Sequence, residues 1–282
     1  MEEIFHKPAK NDWQTQLLRS GVVSAEEFSE VTELRAFLPH PELRNKISHY
    51  WILRWDLPDG VVFKPREVLS DPVVTLFVTR SGSFVYGITP DWLQYQAQGC
   101  DVIAGVTFLP AGFSPYWKRP MHQMPTGKLS LADVLPEAAP HLGPNMLNYA
   151  DDVAISRIFD DYFRSIPVKC NRHITAIHDI VRKITAEPQR HSVAALSREF
   201  GIPERTLQHI FREEVGTSLK WIIKRSQLLD ALTGSFLQEA PDWSEIAYAY
   251  NFSSQAHFIR DFKKVFGMPP DRFHKAARIN TE

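Results

Sequence analysis

Only two cysteines, Cys100 and Cys170, occur in the 282 residues, and they form no CxxC pair. This excludes a disulfide scaffold and fits a reducing compartment. No apolar run approaches the ~18 residues that a membrane-spanning helix needs. The segment from Met1 to Lys10 is polar and charged rather than basic and then apolar, so a cytoplasmic chain with no membrane partner is expected. Neither sign of charge dominates, with 32 Lys and Arg against 33 Asp and Glu, which argues against a protein that coats nucleic acid indiscriminately. G-x-S-x-G, P-loop and G-x-G-x-x-G patterns are missing, which removes the usual footholds of nucleophilic and nucleotide chemistry. His6, His40, His49, His122 and His141 are dispersed, whereas a metal-dependent cupin would place two histidines one residue apart with a glutamate close by. The expectation is no enzyme, no metal and no cofactor.

What is present is a pattern that occurs twice. Ser192 to Gly216 reads SVAALSREFGIPERTLQHIFREEVG, and Asp242 to Gly267 reads DWSEIAYAYNFSSQAHFIRDFKKVFG. An offset of fifty carries Leu196 to Ile246, Phe200 to Tyr250 and Gly201 to Asn251. After one extra residue in the turn, an offset of fifty-one carries Leu207 to Phe258, Phe211 to Phe262 and Gly216 to Gly267. Two copies are too few for a solenoid. They describe a duplicated helix-turn-helix module.

Each copy has its own local logic. Ser192 is a natural N-cap, Val193, Leu196 and Phe200 recur at helical spacing, and Gly201 ends the helix. Pro203 suits the first turn of the next helix, whose apolar stripe is Leu207, Ile210, Phe211 and Val215. In the second copy Asn251 replaces the glycine, and Asn tolerates a left-handed backbone. Ser253 is the expected cap, and Phe258, Phe262 and Phe266 face inward. The opposite faces carry Arg205, Gln208, His209 and Arg212 in the first copy and Gln255, Ala256, His257, Arg260, Lys263 and Lys264 in the second. Arg can fork onto guanine, Gln onto adenine, and Lys can neutralise phosphate, so these ten residues are the candidate contacts to double-stranded DNA. Residues 171 to 280 hold 16 Lys and Arg against 12 Asp and Glu, net +4, which leaves 16 against 21, net −5, for the remainder.

The stretch from Ile174 to Lys275 resembles the AraC/XylS family of bacterial transcription regulators. The resemblance is carried by G-T-S-L-K-W-I at Gly216 to Ile222, the Arg225 to Leu229 segment, and F-K-K-V-F-G-M-P-P-D-R-F at Phe262 to Phe273. It implies seven helices, two helix-turn-helix units joined by a long linker helix at about Leu219 to Ser235, and reading helices that enter adjacent major grooves. By position it assigns base reading to Arg205, Gln208 and His209, and to Ala256, His257 and Arg260. It also implies regulation of transcription, an activator or a repressor, with RNA polymerase as a partner. Asn251 in place of glycine and Ala256 in place of a longer polar side chain depart from the family pattern. They suggest a second helix that leans on Lys263, Lys264 and DNA shape.

The N-terminal half differs in kind. Ile47 to Trp55, Val73 to Thr79, Ser83 to Ile88, Gln94 to Gly99 and Asp101 to Leu109 are short, β-branched and aromatic, and punctuated by turn residues. The fold class expected is α+β, with an N-terminal cupin-like β-barrel or sandwich before an all-α C-terminal domain. The domains run 1–165 and 166–282. Residues 1–33 are expected as a helical extension with a Ser24-x-x-Glu27 capping box, and 150–165 as a connecting helix. Pro39 to Trp51 and Gly105 to Gly112 are similar to a subset of family sensor domains, which implies a small-molecule effector and a homodimer without naming either. Trp51, Trp55, Phe77, Tyr86, Trp92, Tyr95, Phe108, Tyr116 and Trp117 supply flat apolar surface, and Arg66, Arg80, Arg119 and His122 suit an anionic ligand. No ligand-binding residue is assigned. An architectural DNA binder whose N-terminal half only oligomerises, with the apolar stripe of 150–164 as a candidate two-fold contact, stays open, as does a cupin-like enzyme fused to a DNA-binding module.

Overall fold

The computed structural model describes residues 3–5, 22–23, 32–63, 67–68, 73–88, 97–149, 151–168, 171–236 and 238–278. The N-terminal half is built on β1 (Glu3–Phe5), β2 (Val22–Val23), β3 (Thr32–Phe37), β4 (Ile47–Asp56), β5 (Val62–Phe63), β6 (Glu67–Val68), β7 (Thr75–Thr79), β8 (Gly82–Tyr86), β9 (Ala97–Gln98), β10 (Cys100–Phe108) and β11 (Lys128–Ser130). Seven of these form one sheet in the order β1-β3-β4-β10-β7-β8-β11, while β2 pairs with β6 and β5 with β9. The two end strands of the large sheet do not pair with each other. The expected closed barrel or cupin-like sandwich therefore gives way, among the described residues, to an open sheet.

A helix takes the place of the second sheet. Alternate residues of each strand point to one face, so Tyr50 and Ile52 of β4, Val102, Ala104 and Val106 of β10, and Leu76 and Val78 of β7 form a continuous apolar layer. Short helices α1 (Ser114–Trp117) and α2 (Leu131–Val134) precede α3 (Asp152–Ser165), whose Ile155, Phe159 and Phe163 are buried against that layer. Arg35 and Arg54 reach from the sheet to Asp152 at the start of α3, at 3.2 and 2.7 Å. The hydroxyl of Tyr50 and the backbone N–H of His40 donate to Asp160 at 2.8 and 2.9 Å. The apolar stripe of α3 is thus consumed within the chain, which removes it as a two-fold contact.

The helical extension expected at 1–33 is corrected where the structure describes it. Val22–Val23 is a strand paired with Glu67 and Val68, and Glu3–Phe5 pairs with β3. Adjacent valines pack well on a pleated surface and lose rotamer freedom in a helix. The Ser24-x-x-Glu27 box lies outside the described residues.

The other face of the sheet is aromatic. Leu53, Trp55, Phe77 and Ile103 are buried there, with Trp51, Phe84 and Tyr86 half-buried beside them. Gly105 lies opposite Trp51 across the β10–β4 pair, and a Cβ at Gly105 would sit 2.2 Å from the indole ring. Glycine is what lets that tryptophan lie flat on the strand.

The C-terminal half has seven helices among the described residues: α4 (Ile174–Ala186), α5 (Val193–Phe200), α6 (Glu204–Ile210), α7 (Leu219–Ser235), α8 (Trp243–Ala249), α9 (Gln255–Phe266) and α10 (Pro270–Arg278). They enclose two cores. Ile177, Ile180, Ile184, Leu196, Leu207, Phe211, Leu219 and Ile222 form the first, and Leu228, Leu232, Trp243, Phe258, Phe262, Phe266 and Phe273 the second. Among the described residues no helix is long and apolar enough to cross a membrane.

Burial lowers the pKa of His49, on β4, from 6.5 to about 4, because the charged imidazole loses its hydration. The unfolded chain takes up this proton near pH 6.5 while the folded chain stays neutral until about pH 4. Stability is therefore full above that window and falls as pH drops through it. A loss on the order of 1–3 kcal/mol between pH 7 and pH 4.5 is expected by urea unfolding. His49→Gln, which cannot titrate, should flatten the difference; an unchanged slope would locate the proton uptake elsewhere.

Candidate nucleic-acid interface

The two helix-turn-helix units are built from α5 with α6 and from α8 with α9. Ser192 caps α5, its side chain accepting from the Ala195 N–H at 3.2 Å, and Gly201 ends that helix at φ +65°. Pro203 occupies the cap position of α6 rather than its first turn. A π-helical turn, Phe211–Val215, follows α6 and ends at Gly216. In the second unit Asn251 adopts φ +59°, the left-handed turn that glycine makes in the first. The cap of α9 is Ser254, accepting from the His257 N–H at 3.2 Å, and not Ser253. The extra residue in this turn moves the cap one position on.

Arg205, Gln208 and His209 are exposed on α6, and Arg212 is exposed on the turn after it. Gln255, Ala256, Arg260, Lys263 and Lys264 are exposed on α9. Among the described residues, Arg205, Gln208, His209, Arg212, Arg260, Lys263 and Lys264 carry no side-chain hydrogen bond or ion pair within the protein. They stand hydrated, so contact with a base or phosphate would break no protein bond. Gln255 accepts from the Ser244 hydroxyl at 3.0 Å, which ties the start of α9 to α8.

His257 differs from the others. It is half-buried, Nδ1 lies 3.0 Å from the Ser253 hydroxyl, and Nε2 lies 3.0 Å from Asp261. Both ring nitrogens are engaged inside the protein. The neighbour that engages Nε2 is Asp261, itself bonded to Lys224 of α7, 37 residues away. Short-range sequence patterns do not reveal such a pair.

The long helix α7 fixes how the units stand. Leu219, Ile222 and Ile223 enter the first core, and Leu228, Ala231 and Leu232 enter the second. Trp221 packs against both. Tyr250, at the end of α8, donates to Asp230 of α7 at 2.8 Å, and Ser226 of α7 donates to the Ile184 carbonyl of α4 at 3.3 Å.

The β-rich half touches the first unit. A turn at Leu109–Gly112 places Ala111, at φ +63°, in the first unit's core, and His178 of α4 hydrogen-bonds the Pro110 carbonyl at 3.1 Å. Burial keeps His178 titrating below its ordinary range, so the neutral ring donates from Nε2. The 3-10 turn Met121–Gln123 rests on the π-helical turn, with His122 3.4 Å from Glu213 and His173 2.5 Å from Glu214. A Cβ at Gly216 would meet the Met121 carbonyl at 3.2 Å. Of the four residues expected to suit an anion, Arg80 pairs with Asp101, Arg119 stacks on Trp117, His122 faces Glu213, and Arg66 lies outside the described residues. They do not gather.

A helix-turn-helix domain family matches residues 196–276, and a domain of unknown function (DUF6597) matches residues 35–129. The chain is 34% identical over 104 residues to the "Probable transcription factor PqrA" of Proteus vulgaris, a match spanning 35% of this chain and 83% of that one. The chain belongs to the AraC/XylS family. It is also 39% identical over 84 residues to the "HTH-type transcriptional regulator GlxA" of Rhizobium meliloti (strain 1021), but that match spans 29% of this chain and only 25% of GlxA. Among solved structures it aligns with an apo ToxT variant from Vibrio cholerae strain SCE256 at 13% identity and TM-score 0.38, over 81% of this chain and 97% of that one, a likeness too loose to bear weight. As an AraC/XylS member the chain is a DNA-binding transcription regulator.

Trp221→Ala should cost about 2–3 kcal/mol, below the ~3–5 kcal/mol of a fully buried tryptophan, because its ring is half-exposed. Since the ring serves both cores, calorimetry should also show the unfolding of the two units moving apart. A single sharp transition at the wild-type temperature would show that the ring does not couple them.

Proposed function

We propose that residues 166–282 read DNA as a two-part site and that residues 1–165 form a separate domain that controls them through a bound small molecule. The observation that carries the first half is the pair of exposed, unengaged polar faces on α6 and α9, held on one linker helix. Arg205, Gln208 and His209 read bases from α6, Arg260 reads from α9 beside Gln255 and Ala256, and Arg212, Lys263 and Lys264 contact phosphate. Sensing residues lie in one half and reading residues in the other, so the function requires no catalytic group. RNA polymerase as a downstream partner follows from the family alone.

Two features support small-molecule control. The β half grips the π-helical turn that directly follows the first reading helix, so a shift of the Met121–Gln123 turn would move that helix. The aromatic face of the sheet offers stacking surface, and Lys128 Nζ lies 3.6 Å from the centre of the Phe84 ring and 5.8 Å from that of Phe77. A flat anionic molecule fits such a surface, stacking on the rings and pairing with the ammonium. An architectural role for the N-terminal half gives no reason for that arrangement.

Arg205→Ala and Arg260→Ala should each weaken binding to a selected operator by ~1–3 kcal/mol and relax preference at one base, whereas Lys264→Ala should weaken all sequences alike. Fluorescence anisotropy on cognate and scrambled duplexes separates these outcomes. Equal losses on both duplexes for all three variants would contradict the assigned roles. For the sensing half, a thermal-shift screen of aromatic carboxylates should raise the melting temperature of the wild type and not of Lys128→Met. A shift retained in that variant would place the ligand elsewhere.

A further inference from the structure

The side chains that link α9 to α7 form one connected group. Asp261, on the side of α9 that faces the linker, accepts from Lys224 Nζ of α7 and lies 3.0 Å from His257 Nε2; His257 Nδ1 meets the Ser253 hydroxyl at 3.0 Å. The Lys224 ammonium also sits 5.3 Å from the centre of the Phe252 ring, and Phe252 meets His257 edge-on at 5.5 Å. Lys224, Asp261 and His257 therefore connect the linker helix to the turn and first residues of the second reading helix. Burial alone would push the Asp261 carboxyl up, but hydrogen bonding to Lys224 and the positive charges of Lys224, His257 and Lys264 outweigh it and hold the carboxyl below its ordinary range. The carboxylate is thus charged and committed to its partners.

Base reading needs a side chain with a free donor or acceptor edge. The Nε2–H donates to Asp261 and Nδ1 shares a hydrogen bond with the Ser253 hydroxyl, so both polar atoms of His257 are spent. Direct reading by His257 would break two protein hydrogen bonds for each one formed with a base pair. Arg260, one residue before Asp261, has no such engagement and points to solvent.

We infer that Lys224, Asp261 and His257 are positioning residues that lock the second reading helix to the linker helix, so that they set its presentation to DNA rather than read the sequence themselves. The first unit has no counterpart: Phe211 and Phe262 correspond by the offset of fifty-one, which puts Ile210, a core residue, at the position of Asp261. The first unit is steadied by the β half through His122 and Glu213, while the second is steadied by this ion-paired brace. Each unit thus has a lock of its own.

The test uses the full-length chain and a duplex selected with it from random sequence. Lys224→Gln, Asp261→Asn and His257→Gln should each weaken operator binding about tenfold, leave binding to scrambled DNA of the same length within twofold, and shift preference at no single base. Hydroxyl-radical footprints should lose protection only over the segment covered by the second unit. The charge-swapped double variant, Lys224→Asp with Asp261→Lys, should recover most of the lost affinity, a recovery that loss of a phosphate contact could not show. Thermal unfolding of every variant confirms that the helices are intact, and the swap carries the test if a single variant unfolds early. The inference is overturned if His257→Gln changes preference at one base while Asp261→Asn binds like the wild type. It is equally overturned if Lys224→Gln weakens cognate and scrambled DNA alike or the swap recovers nothing.

Discussion

The linker helix α7 is shared by two hydrophobic cores, and the arrangement of both reading helices depends on that sharing. Its N-terminal turns bury Leu219, Ile222 and Ile223 in the first core, its C-terminal turns bury Leu228, Ala231 and Leu232 in the second, and Trp221 lies against both. A helix clamped in this way cannot rotate for one unit without dragging the other, because packed interiors resist voids of even a methyl group. The polar ties reinforce the same geometry. Tyr250 to Asp230 and Lys224 to Asp261 fix the second unit, and Ser226 to the Ile184 carbonyl fixes the first. The two proposed reading faces are thereby held at one separation, which is what recognition of two successive grooves would demand.

The β half bears on this assembly at its first unit. Its sheet is braced from behind by α3, through the Asp152 and Asp160 contacts, so the turns at Leu109–Gly112 and Met121–Gln123 project from a stiff base. Ala111 in its left-handed conformation and the Pro110 carbonyl seat the first turn on α4, while Met121 and His122 seat the second on the π-helical turn. Single π-helical turns, which carry one more residue than an α-helical turn, are frequent at functional sites.

The C-terminal half was largely legible in the sequence, since its determinants are local. The cap at Ser192, the turn at Gly201 and the left-handed Asn251 follow from spacing and residue type within one or two turns of helix, whereas the bounds of the linker helix came from the family resemblance. The cap of the second reading helix falls at Ser254 because an inserted residue lengthens that turn, and adjacent serines offer no local means of choosing between them. Four strands of the large sheet, β4, β7, β8 and β10, were legible from β-branched and aromatic runs, as was β9 of the small β5–β9 pair. β3 and β11 were not, as they are defined by partners β4 and β8 rather than by pattern. Closure of the sheet is likewise a long-range property, and here α3 covers the face that a second sheet would cover. Among the candidate contact residues, composition marks the exposed polar face; the partners of His257, Ser253 and Asp261, stand four residues away on either side, but the tie from Asp261 to Lys224 spans 37 residues, which no local periodicity brings near.

Fixed separation of the two reading helices is the central claim, and it is tested most directly by changing the spacing of the operator. Insertion of five base pairs, about half a helical turn, between the two protected segments of a selected duplex rotates one segment to the far side. The account predicts that affinity drops to that of a duplex carrying a single segment, and that inserting about ten base pairs does not restore it, since the linker helix cannot lengthen. Binding of either inserted duplex as tightly as the parent would contradict a rigid linker and, with it, the structural reading given above.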